Sequence, residues 1–130
     1  MVRARRTGQP LVLGFIDIDQ LKAVNDSNGH AAGDRTLLRV ATTLRERLRL
    51  YDLLIRYGGD EFVCVISDLN SDTAALRLAR ANDELAAGPA PTSFTFGLAE
   101  MRPTETAEEL VARADAALYR ERRHTPSRAG

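Results

Sequence analysis

Leu53-Leu54-Ile55-Arg56-Tyr57-Gly58-Gly59-Asp60-Glu61-Phe62-Val63-Cys64-Val65-Ile66 is the stretch that decides the fold. Two glycines separate two apolar runs. Paired glycines at such a junction predict a two-residue hairpin turn, because that turn places both central residues at positive φ. The strands are expected over residues 52–57 and 61–66. Two acids follow the turn at once, although strands disfavour Asp and Glu and neighbouring carboxylates repel. A metal ion would account for them.

Upstream, residues 11–16 form a short apolar run, the mark of a strand covered on both faces. It ends in Asp17-Ile18-Asp19. Alternation puts Asp17 and Asp19 on one side and Ile18 on the other. Asp19 is expected to cap one or two helical turns over residues 20–24, and residues 25–29, Asn-Asp-Ser-Asn-Gly, read as a turn. Asp34 is expected to cap a longer helix to about Arg47, with a stripe of Leu37, Leu38, Ala41, Leu44 and Leu48.

Downstream, Asp72-Thr73 starts a third helix with Ala75, Leu76, Leu78, Ala79 and Leu85 inward, and Gly88-Pro89-Ala90-Pro91 breaks it. Residues 93–99 alternate as a strand. Thr106 and Glu109 form a capping box for a last helix with Leu110, Val111, Ala114, Ala117 and Leu118. The order contains β-α-β-β-α-β, which predicts an α+β, ferredoxin-like domain: a mainly antiparallel sheet packed by helices.

The chain has 130 residues, 44% hydrophobic and 28% charged, as expected for one soluble domain over residues 1–130. Residues 1–10 and 121–130 are expected to be frayed or irregular. No apolar run approaches the ~20 residues of a membrane span, and the run after the basic start is too short for a signal peptide. The single cysteine, Cys64, reads as a small core residue in a reducing cytoplasm. Net charge is zero, yet residues 11–119 hold eleven basic and seventeen acidic side chains. That balance argues against DNA or RNA as partner and suits a metal-dependent site.

In this topology Asp17 and Asp60 can share one end of the sheet. Two or three carboxylate ligands with open water positions suit magnesium, which also takes phosphate oxygens. Asp17, at the end of a buried strand, reads as a ligand and Asp19 as a cap.

Residues 17–34 resemble the first motif of the GGDEF family of diguanylate cyclases: Asp-x-Asp, then Lys22 and Asn25-Asp26, then Gly29-His30 and Gly33-Asp34. Gly58-Gly59-Asp60-Glu61-Phe62 is similar to the family's signature, and Ala114-Asp115-Ala116-Ala117-Leu118-Tyr119 resembles its closing helix. The resemblance covers about residues 11–119 and implies a nucleotidyl-cyclase palm that condenses two GTP into cyclic di-GMP, with release of pyrophosphate.

By that resemblance Asp17, the Ile18 carbonyl and Asp60 would hold Mg2+ (or Mn2+), two ions per GTP. Asp60 would activate the ribose 3′-hydroxyl, Glu61 would support the metal–triphosphate region, and Lys22 would meet phosphate charge. Asn25 and Asp34 would read guanine, His30 would line the pocket, and Gly58 and Gly59 would lie against the nucleotide. Two copies must face each other, so a homodimer is implied. Arg49 and Asp52, with Arg80 on the third helix, fit the family's inhibitory product site.

The chain departs from the family at both ends. The lead helix and Asp-x-Leu-Thr motif that the family carries before the first strand are not visible here, Gln20 stands where an aromatic is common, and the short stretch between Arg80 and Phe94 is expected to lack an extra hairpin strand. Arg122 stands in for a phosphate-binding lysine, and Pro126 replaces a second cation where no closing strand is expected. These departures leave a second reading open: a cyclic di-GMP or GTP receptor that binds without catalysis.

Overall fold

The structure is a computed structural model that describes residues 10–50 and 52–124. The element order is β1 (Leu11–Ile18), α1 (Leu21–Asn28), α2 (His30–Arg47), β2 (Leu53–Arg56), β3 (Glu61–Ser67), α3 (Ser71–Ala87), β4 (Phe94–Glu100) and α4 (Ala107–His124). The strands form one sheet in the order β2-β3-β1-β4, with every pair antiparallel. This is the expected α+β palm.

β1 is buried along all eight residues. Its uninterrupted apolar run, ended by one acid, fits a strand with helices on both faces. Val12, Ile16 and Ile18 meet α1–α3 with Phe62, Cys64 and Ile66, while Leu11, Leu13 and Phe15 meet Leu110, Ala114 and Leu118 of α4. Each fully buried Leu, Ile or Phe is worth roughly 1.5–3 kcal/mol by transfer, so these two clusters dominate stability. Cys64 is a core residue, as expected; burial pushes its thiol up to about 12 and leaves it unreactive.

Several local expectations are corrected. The hairpin strands end at Arg56 and start at Glu61, and neither Gly58 nor Gly59 has positive φ; among the described glycines only Gly29 does, at 89°. Asp60 belongs to the loop, so the tip is longer than a two-residue turn. It is closed by the Tyr57 N–H donating to the Glu61 carbonyl at 2.8 Å. The Arg56 guanidinium also donates to the Gly58 and Gly59 carbonyls at 3.1 and 2.8 Å.

Residues 25–28 are helical, and Gly29 alone turns the chain from α1 into α2. Asp34 therefore lies inside α2 and caps nothing. Asp19 does not cap α1 either: Gln20, in the left-handed region at φ 59°, holds the cap position without a side-chain bond. α3 begins at Ser71, capped by Asn70, whose Oδ1 accepts from the Thr73 N–H at 2.8 Å.

The inward stripes are also shifted. Leu38 and Leu76 are exposed, and Val40, Ala74 and Ala81 are buried in their place. The Thr106–Glu109 capping box forms as expected, with bonds of 2.9 and 3.1 Å. α4 then runs to His124, so residues 121–124 are helical rather than frayed. The expectations for residues 1–9 and for a missing closing strand after Pro126 lie outside the described residues.

α4 crosses β4 at Gly97. A Cβ there would stand 2.0 Å from the Leu118 backbone nitrogen and 2.5 Å from the Ala117 carbonyl carbon. Helix backbone cannot yield as a side chain can. Gly97→Ala is therefore expected to cost roughly 2–3 kcal/mol, the upper range of overpacking. Urea unfolding checks this: a midpoint equal to the parent's would mean that α4 is not seated on Gly97.

Candidate functional site

The end of the sheet where β1 stops and the hairpin turns collects the acids. Register places Asp17 directly opposite Glu61 on one side and Thr95 on the other. The Ile18 N–H donates to the Asp60 carbonyl at 2.9 Å, tying the loop acid to the end of β1. Carboxylate oxygens of Asp17, Asp60 and Glu61 consequently lie within 4.8 Å of one another.

Asp17 is the anomalous member. It is 6% exposed, and its Oδ1 is buried with no hydrogen-bond partner. Its Oδ2 is 2.9 Å from Nη1 of Arg122, a side chain 54% exposed near the end of α4. Burial first, then the charge of Asp60, pushes the Asp17 carboxyl up from 3.8 to about 7, with Glu61 adding and Arg122 opposing. A buried oxygen without a partner, within reach of two more carboxylates, is what a hard dication requires. The donor set is all oxygen, which fits Mg2+ or Mn2+ rather than a soft metal.

The other expected residues take distinct places. Lys22 is exposed in the first turn of α1. Asn25 is half-buried on α1 and packs over Gly33 of α2, where a Cβ would stand 1.7 Å from its Oδ1. Gly33 thus fixes where Asn25 sits. His30 and Asp34 are exposed, four residues apart on the first turns of α2, and so share a face. At Gly59 a Cβ would meet nothing within 4 Å, and at Gly58 only the Glu61 Cβ at 4.0 Å.

Arg49 and Asp52 form an internal lock. Asp52 is 2% exposed. Its two oxygens take the Arg49 guanidinium at 3.1 Å each, and Oδ2 also accepts the Arg49 N–H at 2.9 Å. Arg49 reaches on to the Ser67 carbonyl, and Arg45 donates to the Asp52 carbonyl at 2.9 Å. The pair joins the end of α2 to the ends of β2 and β3, a role the sequence did not suggest. Arg80 is exposed on α3, and Tyr51 lies outside the described residues.

Three supports of the site escaped sequence reading. Asp19 accepts from the Ser93 and Thr95 hydroxyls at 2.6 and 2.7 Å, which braces the end of β1 against β4. Arg56 clamps the hairpin tip. Arg113 holds the buried Glu105 at 2.5 and 2.7 Å and the Glu100 carbonyl at 2.6 Å, fixing the entry to α4 and pulling the Glu105 carboxyl down to about 2. Only Arg56, beside its own turn, had a local signal.

A carboxyl raised from 3.8 to about 7 keeps its proton in the folded chain where the unfolded chain has lost it. Its contribution favours the fold at low pH and is lost as pH rises through about 7. At pH 8 without divalent cation, Asp17→Asn should therefore melt higher than the parent. Added Mg2+ should raise the parent's midpoint and leave the variant's unchanged. Thermal unfolding with and without Mg2+ checks both signs; a variant that melts lower in EDTA would contradict them.

The family model for "Diguanylate cyclase, GGDEF domain" matches residues 1–128. The chain is 38% identical over 130 residues to diguanylate cyclase DgcP of Pseudomonas aeruginosa, covering 95% of this chain and 19% of that protein. It is 34% identical over 131 residues to diguanylate cyclase DosC of Escherichia coli, covering 92% of this chain and 28% of that one. The chain thus spans well under a third of these curated relatives. Among solved structures, the GGDEF domain of DgcB from Caulobacter crescentus in complex with c-di-GMP superposes with a TM-score of 0.87 at 28% identity, covering 97% of this chain and 80% of that one. With the acidic cluster at the tip of the Gly58-Gly59 hairpin and a match along nearly its whole length, this chain belongs to the GGDEF family.

Proposed function

We propose that this chain is a single GGDEF domain that condenses two GTP molecules into cyclic di-GMP, releasing two pyrophosphates. The observation that carries the reading is the cluster of Asp17, Asp60 and Glu61, with the partnerless buried Oδ1 of Asp17 at its centre. The relatives' names support the activity.

In this reading Asp17, the Ile18 carbonyl and Asp60 hold Mg2+, two ions per GTP, with Mn2+ as a substitute. Bound there, the metal neutralises phosphate charge and lowers the pKa of a hydroxyl at the site. Asp60 takes the proton from the 3′-hydroxyl or holds the group that does so. Glu61 orients the triphosphate side. The absence of side chains at Gly58 and Gly59 lets backbone approach the phosphates, and Lys22 and Arg122 supply cations. Asn25 and Asp34 read guanine: a carboxylate accepts from N1–H and N2–H, and an amide pairs with the remaining edge. His30 shares the Asp34 face and closes that side. One chain positions one GTP, so two copies meet with their hairpin tips opposed, and each 3′-oxygen attacks the other nucleotide's α-phosphorus. The protein's work is positioning and charge neutralisation. GTP as substrate places the domain in the cytoplasm. Among the described residues no helix is long and apolar enough to cross a membrane.

One observation favours the receptor reading: Arg122 already occupies Oδ2 of Asp17 and competes with a dication for it. The discriminating assay is product formation from GTP and Mg2+ at high protein concentration. Cyclic di-GMP is expected, and Asp60→Ala should reduce it at least a hundredfold, the scale of losing a positioned base or ligand. No product together with intact cyclic di-GMP binding would decide for the receptor.

A product site at Arg49, Asp52 and Arg80 is the second part of the proposal. A similar GGDEF structure is described as a complex with c-di-GMP. Here Arg49 is committed to Asp52, so binding there must recruit the guanidinium without unlocking β2. Arg80→Ala should weaken cyclic di-GMP binding about tenfold, one lost charged hydrogen bond, while leaving the melting temperature unchanged. Arg49→Ala should lower both. Calorimetric titration alongside thermal melts separates the two, and unchanged affinity in Arg80→Ala removes that residue from the site.

A further inference from the structure

Asp19 sits at the metal end of the sheet but lies outside the cluster of Asp17, Asp60 and Glu61. It is half-buried, one residue past β1, and its hydrogen bonds run to the start of β4. The Ser93 and Thr95 hydroxyls donate to its Oδ2 and Oδ1 at 2.6 and 2.7 Å. The Asp19 N–H donates to the Ser93 carbonyl at 3.0 Å. This part of β4 is itself anchored from α3. The Asn82 amide accepts the Phe94 N–H and donates to the Phe94 carbonyl, each at 2.9 Å, as a neighbouring strand would.

The Asp19 bonds reach the metal site by two routes. The first is the Ile18–Asp19 peptide. N–H and C=O of a trans peptide point opposite ways, so an Asp19 N–H held on β4 turns the Ile18 carbonyl toward the hairpin. The Ile18 N–H, on the same side as that carbonyl, donates to the Asp60 carbonyl at 2.9 Å and fixes the same direction. Gln20 follows at φ 59°, a conformation that a non-glycine residue keeps only where its surroundings hold it. The second route is Thr95, which register places directly opposite Asp17. A hydroxyl has one hydrogen, and Thr95 gives it to Asp19. The buried Oδ1 of Asp17 goes without a partner.

We propose that Asp19 is a positioning residue of the metal site: it aims the Ile18 carbonyl at the dication and, by taking the Thr95 hydrogen, keeps Oδ1 of Asp17 open. This role rests on the metal site of the cyclase reading, with Asp17 and the Ile18 carbonyl as ligands, and is independent of the reaction that the loaded domain performs. Asp19 is not a ligand itself, because each of its oxygens accepts a hydroxyl of β4. Without its carboxylate, Thr95 turns its hydrogen onto Asp17 and fills the place of a cation. An asparagine at this position still accepts from Thr95 and donates to the Ser93 hydroxyl, so it preserves both contacts. Groups one step behind the ligands commonly set metal affinity by roughly tenfold to a hundredfold.

The test is Mn2+ titration of the 130-residue chain, followed by electron paramagnetic resonance, with thermal melts alongside. Asp19→Ala should weaken Mn2+ binding by roughly tenfold or more. Asp19→Asn should stay within about threefold of the parent, since the charge it removes is partly exposed and screened by salt. Thr95→Val added to Asp19→Ala should bind at least about threefold tighter than Asp19→Ala alone, because no hydroxyl is then left opposite Asp17. A merely structural role would not let a second truncation restore affinity. If Asp19→Ala fails to fold, Asp19→Ser, too short to hold both hydroxyls, carries the same expectations. Mn2+ affinity unmoved in these variants, an Asp19→Asn loss equal to that of Asp19→Ala, or a further loss on adding Thr95→Val would overturn the proposal. A parent that binds no Mn2+ would overturn it together with the metal site. A parent and variants that bind Mn2+ in the expected order, yet form no cyclic di-GMP, would support it and sink the cyclase reading alone.

Discussion

Burial of β1 on both faces, carried to its last residues, holds Asp17 where a lone carboxylate is unfavourable. The register of this strand follows from the apolar pattern, because slipping one residue would turn Leu11, Leu13 and Phe15 to the opposite helix layer. The same register leaves Asp17 facing Glu61 and Thr95. Stability and site chemistry thus pull against each other at one residue. The apolar strand fixes the position, and the position raises the carboxyl.

α4 is the second element on which the site depends. Gly97 lets its backbone descend onto β4, the Thr106–Glu109 box sets its start, and Arg113 on Glu105 fixes its entry. Only then does Arg122, near the far end of the helix, arrive at Asp17. An ion pair with one exposed partner is worth little by itself. Its effect is to moderate the repulsion in the acidic cluster while leaving Oδ1 of Asp17 open.

Arg49 and Asp52 illustrate how one short motif takes two readings. By offset from the hairpin they read as a ligand-binding pair. By geometry they form a buried, bidentate lock among α2, β2 and β3. Breaking a buried pair by removing one partner leaves an uncompensated charge, so either residue carries structural weight whatever else it binds.

The sequence by itself determined the element order, the doubly buried β1, the hairpin and the nearness of Asp17 to Asp60, because alternation, apolar runs and paired glycines are local signals. It also carried the family motifs. Tertiary structure decided the rest. Asp19 bonds Ser93 and Thr95, more than seventy residues away, instead of capping α1. Gly29, and not Asp34, starts α2, because a glycine at positive φ lets one helix follow another without a longer turn between them. Leu38 and Leu76 point outward because a helix buries only the side its neighbours reach, and helical spacing alone does not say which side that is. Local patterns fix which residues can share a face; only packing fixes what that face meets.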